Sequence, residues 1–315
     1  MENKRYEMQD IDTISDEGSQ IIKDTSQLAV ENFKPLSDVI KLNDIFKCPQ
    51  PDPKLVLELL CSRSRKQRCK IGEHFQKAYR QSLNDVISKH FKQKELRFIS
   101  QMLNNDFDTA YSILLHEAIT RQMGPIVSLM TRTRKDPESD PALARYRTYF
   151  KKSVSEDIEK HFSGDVKRLL VTYLQPTQKN KLRFRKTATN HLINIFSICE
   201  LEYLKLLCSE FHELTDNPII KVFSEKLKPA TSEVIEVLEE LSDGTVNPYT
   251  LMLKKYLSKE KDICHSLILL RSDEDLLDIS RDYLTKYGVS LLSDCRNIYQ
   301  DDQLFALEKI LALVQ

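Results

Sequence analysis

Apolar residues recur three and four positions apart from about residue 31 to the end of the 315-residue chain, the period of an amphipathic α-helix. Short groups rich in Pro, Gly, Asn, Asp and Ser interrupt this pattern and predict helix boundaries. These groups lie at residues 48–53, 134–141, 175–178, 215–218, 228–232 and 242–248. Their spacing predicts helices of roughly 8 to 16 residues. Residues 1–30 show no strong period, and we predict a flexible acidic head there.

The sequence also repeats internally. A shift of 208 residues, without a gap, pairs Arg63 with Arg271, and a shift of 69 pairs Arg63 with Arg132. A shift of 71 aligns residues 87–91 with residues 158–162, and a weaker copy is found at a shift of 136. Because 208 is about three times 69, the chain is predicted to contain four helical units of about 70 residues. Units of this size cannot bury their apolar faces alone, so the stacked copies should share a core.

We therefore predict an all-α fold in which four repeats follow the head. The predicted boundaries are residues 31–103, 104–176, 177–247 and 248–315. An unrelated α-solenoid of the HEAT kind is the alternative, and it would give a period of about 40–47 residues instead.

The composition of the chain excludes several classes of function. The 47 basic and 47 acidic residues cancel, which argues against a nucleic-acid partner bound by bulk positive potential. The six glycines lie at least 40 residues apart, so dinucleotide and phosphate-binding glycine loops are excluded. Seven scattered cysteines without a CxxC motif favour reduced thiols in a cytoplasmic protein. Without an apolar run of membrane-spanning length or a catalytic motif, the sequence predicts neither a transmembrane span nor an enzyme.

Two segments carry a family resemblance. Residues 269–291 and residues 61–83 resemble the annexin repeat, in which Ser-Arg-[Ser/Thr/Ala] leads into L-x-x-I-x-x-x-[FY]-x-x-x-[YF]-G-x-[SD]-L. The match is good in repeats one and four, moderate in two and poor in three, where Cys199 replaces the expected arginine. The resemblance implies four repeats of about five short helices in one curved disc, with convex-face loops that bind Ca²⁺ and acidic phospholipids. It also implies that the repeat arginines pair with a carboxylate and helix carbonyls in the core; these are Arg63, Arg132 and Arg271.

The loops that bind Ca²⁺ in annexins are altered in this sequence. Annexin loops supply carbonyls from a G-x-G-T turn and a bidentate acid about forty residues later, because Ca²⁺ takes six to eight oxygen ligands. The corresponding segments are residues 48–52, 117–121 and 256–260, and none of them contains glycine. The acid positions hold His90, His161 and Ile298. We therefore expect Ca²⁺ dependence to be weakened or lost and no cofactor to be required. In this erosion the chain is similar to the alpha-giardins.

Three further groups of residues are candidates for binding. Asp165, in a Ser-Gly-Asp sequence that the family shares, is a weak Ca²⁺ candidate, although capping of the following helix is the simpler interpretation. A basic connector is a candidate membrane or partner site, or else an exposed linker; it contains Lys179, Lys181, Arg183, Arg185 and Lys186. The basic run at residues 62–70 would bind a phosphate-rich surface or, in the simpler interpretation, form a solvated helix face around the structural Arg63.

The sequence thus predicts a cytoplasmic, non-enzymatic, annexin-like protein that associates peripherally with membranes or the cytoskeleton. Its predicted partners are acidic phospholipids, bound weakly, or a cytoskeletal protein. The alternative is a helical interaction scaffold without membrane binding, which recruits proteins through the acidic head or the connector at residues 179–186.

Overall fold

The computed structural model describes residues 33–91, 94–123, 126–132, 139–175 and 187–314. Within these ranges the regular structure is entirely helical, and no β-strand occurs. The predicted all-α fold is confirmed. The predicted head, residues 1–30, lies outside the described residues.

The described residues form nineteen α-helices. The first five are α1 (Pro35–Lys47), α2 (Pro53–Cys61), α3 (Arg65–Tyr79), α4 (Leu83–His90) and α5 (Lys94–Asn104). The next five are α6 (Phe107–Thr120), α7 (Ile126–Met130), α8 (Pro141–Phe150), α9 (Val154–His161) and α10 (Gly164–Tyr173). Four follow, α11 (Ala188–Ile198), α12 (Leu201–Thr215), α13 (Ile219–Phe223) and α14 (Pro229–Ser242). The last five are α15 (Pro248–Tyr256), α16 (Lys261–Arg271), α17 (Leu276–Tyr287), α18 (Leu291–Ile298) and α19 (Asp301–Leu311).

Four helices end with the same backbone conformation at equivalent positions. The C-caps of α3, α8, α12 and α17 are Arg80, Lys151, Asp216 and Gly288, with φ angles of 58°, 59°, 55° and 69°. Their offsets from the first are 71, 136 and 208 residues, the same shifts that align the sequence. The left-handed conformation costs a non-glycine residue roughly 1–2 kcal/mol. It is nevertheless retained at three of the four positions, because each helix must stop there for the next to fold back.

Serine side chains start the following helix in three of the four units. The hydroxyls of Ser82, Ser153 and Ser290 accept hydrogen bonds from the amide three residues on, at 3.1, 3.2 and 3.1 Å. In the third unit Pro218 stands at this position. There the Glu239 carboxylate replaces the serine cap and accepts hydrogen bonds from the first two amides of α13, at 2.8 and 3.1 Å. The third unit has therefore lost the local cap and replaced it with a long-range one.

The described part of the third unit also contains fewer helices than the other units. A counterpart of α1 at a shift of 136 would fall across residues 171–183, where α10 occupies the first three positions. Residues 176–186 lie outside the described residues. The described part of this unit thus contains four α-helices, whereas the other three units contain the expected five.

The helices of all four units share one core of buried apolar side chains. The fourth unit packs on the first, since α19 contacts α2 and α16 contacts α5. It also packs on the second through α16 against α6 and α15 against α7, and α10 against α11 joins the second unit to the third. All seven cysteines are free thiols. No single unit encloses its own core, as the repeat argument predicts.

Candidate functional site

The first candidate loop, residues 48–52, connects α1 to α2. Its carboxylate, on Asp52, accepts a hydrogen bond from the Lys54 amide at 2.9 Å and so caps α2. At the predicted acid position, His90 ends α4 and its ring stacks on Phe46 with 5.4 Å between the ring centroids. The loop carboxylate thus caps a helix, and the predicted acid position carries an imidazole that packs on an aromatic ring.

The second loop lies further along the chain than the sequence predicts. Most of the predicted segment, residues 117–121, belongs to α6. The helix continues because Ala118 and Ile119 are fully buried, which keeps its apolar face in the core for another turn. The connection to α7 therefore falls on residues 121–125, and these include Gly124, which lies outside the described residues. The prediction that this loop contains no glycine is wrong.

Backbone carbonyls in the last turn of α6, just before this loop, already accept hydrogen bonds. The amides of Gln122 and Met123 donate to the carbonyls of Ile119 and Ala118 at 2.9 and 3.1 Å. At the acid position, Nδ1 of His161 lies 2.9 Å from the carbonyl oxygen four residues before it. A carbonyl that accepts an amide at the end of a helix is directed along the helix axis and not toward an ion in the loop.

The fourth loop is a tight helical turn. It runs from the end of α15 at Tyr256 to the start of α16 at Lys261. The amides of Lys259 and Glu260 both donate to the Tyr256 carbonyl, at 3.0 and 2.8 Å. Both amides of the turn therefore bind back to the last carbonyl of α15.

A lysine side chain lies at the corner where an acid is expected in the fourth unit. The Lys261 ammonium donates to the Ile298 carbonyl at 3.3 Å. The buried Tyr299 hydroxyl in turn donates to the Lys261 carbonyl at 2.8 Å. The position that the family resemblance assigns to a carboxylate ligand thus carries the protein's own positive charge.

In the second unit an arginine places a positive charge at the loop. The Arg121 guanidinium, the first residue after α6, lies 3.1 Å from the Asp262 carboxylate and 3.5 Å from that of Glu117. Asp262 is in the first turn of α16, so this ion pair ties the second loop to the fourth. The carboxylates of Glu117 and Asp262 are thus neutralised within the chain.

In the third unit the basic connector at residues 179–186 lies outside the described residues. Its five candidates, Lys179, Lys181, Arg183, Arg185 and Lys186, therefore remain predictions. Cys199, at the position of the missing repeat arginine, is the buried C-cap of α11.

Asp165 lies in the first turn of α10 with its side chain 37% exposed, 3.4 Å from the Arg168 guanidinium. The N-cap of that helix is Ser163, whose side chain makes no capping hydrogen bond. The structure therefore does not support side-chain capping, the simpler interpretation of this sequence. A half-exposed carboxylate paired with an arginine is a poor start for a Ca²⁺ site.

Each repeat arginine has a carboxylate partner. Arg63 donates to Asp38 at 2.6 and 3.0 Å, Arg132 to Asp108 at 3.0 Å, and Arg271 to Asp275 at 2.6 Å. Two of these guanidinium groups also lie over the Phe107 ring, Arg132 at 4.6 Å and Arg271 at 5.3 Å from its centroid. The second and fourth units therefore meet around this ring.

The helix carbonyls expected to bind the repeat arginines are instead bound by two other arginines, Arg65 and Arg68. The simpler interpretation of the sequence placed both on a solvated helix face. Arg65 donates to the carbonyls of Met102, Asn105 and Leu270 at 2.8, 3.0 and 3.0 Å and is 6% exposed. Burial and the charge of Arg68 lower the pKa of Arg65 to about 10. It joins the ends of α5 and α16, where the helix dipoles place negative potential.

Arg68 is the more deeply buried of the two, at 1% exposure. Its guanidinium donates to Leu103 at 2.7 Å, to Leu60 at 3.2 Å and to the Arg63 carbonyl, and it pairs with Asp273 at 2.7 Å. The solvated-face interpretation of residues 62–70 is therefore wrong for Arg65 and Arg68. The spacing of residues along α3 could have predicted that Arg68 is buried. Arg68 lies three and seven residues before two buried apolar positions of the same helix.

A buried carboxylate in the second unit was also missed. Asp157 on α9 is fully buried and accepts hydrogen bonds from the Tyr146 hydroxyl and from His116 Nδ1, the latter at 3.0 Å. It also pairs with the Lys152 ammonium. Burial alone raises its pKa, but these donors outweigh burial and the pKa of Asp157 is lowered. The burial of His116 similarly lowers the pKa of that imidazole.

His265 is an almost fully buried imidazole on which a pH prediction rests. Its Nε2 donates to the Gln303 carbonyl at 3.0 Å, and burial lowers its pKa from 6.5 to about 4. The unfolded chain therefore binds a proton first, so this stabilisation is present above pH 6.5 and is lost as the pH falls toward 4. We expect the free energy of unfolding to drop by about 2 kcal/mol between pH 7 and pH 5 from this group, measured by urea denaturation.

The matching variant is His265→Gln, whose amide nitrogen keeps a donor near the Gln303 carbonyl. It should be less stable at pH 7, and its difference from the parent should shrink as the pH is lowered. Parallel pH profiles for the two proteins would contradict the assignment.

The described residues contain no group of three or more His, Cys, Asp and Glu side chains arranged to hold a metal ion. Within the same ranges no helix has the length and apolar character needed to cross a bilayer.

Comparisons with known proteins agree with the fold. Residues 38–94 match the family model described as Annexin. Human Annexin A3 is 23% identical over 305 residues, which cover 89% of this chain and 94% of that protein. A solved structure of annexin III superimposes with a TM-score of 0.73 at 20% identity, covering 89% of this chain and 94% of that one. A calcium-bound alpha-1 giardin superimposes with a TM-score of 0.62 at 14% identity, covering 90% and 100%. The predicted disc of four repeats is confirmed.

Proposed function

Because the chain is similar to annexins in sequence and fold, we propose that it is a member of the annexin superfamily that binds acidic phospholipid membranes peripherally, with Ca²⁺ dependence weakened or lost. The association is non-enzymatic and needs no cofactor. Binding is carried by side chains on the loops of the disc. The cytoplasmic location and the cytoskeletal partner predicted from the sequence stay predictions.

The proposed loss of Ca²⁺ dependence rests on one observation. At two of the loops a positively charged side chain of the protein lies near the expected position of the ion. The Lys261 ammonium binds the Ile298 carbonyl at 3.3 Å, and Arg121 neutralises Asp262 at 3.1 Å. Ca²⁺ needs six to eight oxygens around one point. A positive side chain at that point repels the ion. The residues present do not fit Ca²⁺ at the loop positions that the structure describes.

Exposed lysines at the loops supply a direct contact in its place. Lys54 and the half-exposed Leu55 begin α2 beside the first loop, and Lys259 is exposed in the fourth. Each lysine near an anionic leaflet contributes about 1 kcal/mol, an amount that salt reduces. A few such contacts give weak, reversible binding of the kind predicted from the sequence.

Cosedimentation with phosphatidylserine-rich liposomes tests this proposal. We expect binding in chelator that millimolar Ca²⁺ raises less than about twofold and that falls steeply when salt is increased. The double variant Lys54→Glu/Lys259→Glu should lose most of the binding. The matched control is Lys66→Glu/Lys77→Glu on α3, a helix that borders none of the loops, and it should bind like the parent protein.

Binding that appears only with Ca²⁺ would contradict the proposal and would indicate a metal site outside the described loop positions. The absence of binding in every condition would favour the second candidate function, a helical interaction scaffold without membrane binding. An acidic and apolar face on α12 is the observation that favours this second function.

A further inference from the structure

Helix α12 exposes three large apolar side chains. Tyr203 is 55% exposed, Leu206 64% and Leu214 85%, whereas Leu204 on the opposite side is fully buried. Eleven side chains in the described residues are large, apolar and exposed in this way, and α12 carries three of them. Single exposed leucines are ordinary, but several on one helix mark an interaction surface.

These side chains lie on one face together with acidic residues. Positions 203, 206, 210 and 214 follow one another at helical spacing, and Glu210 lies between the leucines. Glu202 and Glu213 border the same face. Within the described residues none of these three carboxylates forms an ion pair within 4 Å. We call this set of six residues the α12 face.

The equivalent helix of the first unit shows that the fold does not require such a face. At a shift of 136 residues the α12 face corresponds to Lys66, Gln67, Lys70, His74, Lys77 and Ala78 of α3. Thus Leu206 replaces a lysine, and all three glutamates replace a basic or titratable residue. Both the apolar character and the sign of the charge have changed on one helix while its backbone and its C-cap are kept. Packing of the repeat therefore does not explain these residues.

We propose that the α12 face is a docking surface for a basic amphipathic helix of a partner protein. The three apolar side chains would contact leucine-like residues spaced three or four apart, and the unpaired glutamates would face flanking lysines or arginines. An anionic membrane is disfavoured as the occupant because three carboxylates would face its negative surface. A second copy is disfavoured because two such faces would bring like charges together. The inference is independent of the proposed membrane binding.

Synthetic helices provide the probe. Three fluorescein-labelled peptides of about 18 residues, or five helical turns, would carry a leucine stripe flanked by lysine and arginine in three different registers. A scrambled peptide of the same composition, without an amphipathic face, is the reference. Fluorescence anisotropy with the full chain should show micromolar binding of at least one register, at least tenfold tighter than the reference.

Variants then locate the binding. Leu206→Lys/Leu214→Ala introduces the residues that α3 carries, so folding should be preserved, and circular dichroism melting checks this. It should weaken peptide binding at least tenfold, and Glu202→Lys/Glu213→Lys should do the same while flattening the salt dependence. Leu284→Lys on α17, which replaces a leucine that is 51% exposed, is the matched control and should leave binding unchanged.

Three results would overturn the proposal. The first is that no register binds better than the scrambled peptide, or that binding is the same in all variants. The second is a dimer in sedimentation velocity that Leu206→Lys/Leu214→Ala abolishes, which would make a second copy the occupant. The third is loss of liposome binding in that variant, which would assign the face to the membrane. Failure of the liposome experiment alone, with peptide binding intact, would contradict only the proposed membrane function.

Discussion

Replacing Arg68 with alanine should lower the free energy of unfolding by about 3–5 kcal/mol. The guanidinium is 1% exposed and satisfies three backbone carbonyls as well as the Asp273 carboxylate. Its removal takes one donor from each of these four acceptors and opens a cavity where the first and fourth units meet. Arg68→Lys should recover only part of the loss, because an ammonium cannot reproduce the planar fork of donors. Urea denaturation at pH 7 measures both variants.

Lys66, two residues away on the exposed side of α3, is the matched control. Lys66→Ala should change the stability by less than about 0.5 kcal/mol. If Arg68→Ala costs no more than this control, the buried contacts contribute nothing net, and Arg68 does not hold the two units together.

The second large effect is expected at Asp157. Asp157→Ala should cost about 3–5 kcal/mol because it leaves a hydroxyl, an imidazole and an ammonium without their shared acceptor. The fourth unit offers a matched control, since Asp294 accepts from the Tyr283 hydroxyl at 2.6 Å and lies 3.4 Å from Lys254. The Asp294 side chain is 25% exposed, so water can replace the lost partner. Asp294→Ala should therefore cost only about 1–2 kcal/mol.

The pH dependence distinguishes the Asp157 contribution from a cavity. Its folded pKa is lowered, so its stabilisation is present above the unfolded pKa and is lost as the pH falls through the folded one. The difference between the parent protein and Asp157→Asn should shrink as the solution is acidified below about pH 4. A difference that stays constant with pH would indicate packing alone.

The two aspartates also show what the sequence could have revealed. Tyr146 and Asp157 recur as Tyr283 and Asp294 at a single shift of 137 residues, so the pair could have been found by comparing polar as well as apolar positions. In the first unit the shift of 71 places Phe75 and Val86 at the corresponding positions. Only folding shows that one carboxylate is sealed from water and the other is not, because burial depends on neighbouring helices.

The misassignment of Arg65 and Arg68 has a related cause. A run of basic residues is usually solvated, because burying a charge is costly unless partners are supplied. The partners of Arg65 are the carbonyl ends of α5 and α16, about 37 and 205 residues away in the chain, and Arg68 binds the end of α5 and Asp273. Helical spacing indicates that Arg68 faces the core, but no local pattern identifies these distant partners.

The amino-acid sequence by itself determined the helices, their approximate boundaries and the four-fold repeat, because the hydrophobic period and the capping residues act over a few positions. It also predicted that the family's ligand residues are altered at the loop corners. Tertiary structure alone decided which charges are buried, where the second loop begins, and that Lys261 and Arg121 place positive charge at the loops. It also decided that α12 keeps an apolar, acidic face open. These features depend on which helices meet, and that is set by the packing of all the units around one shared core.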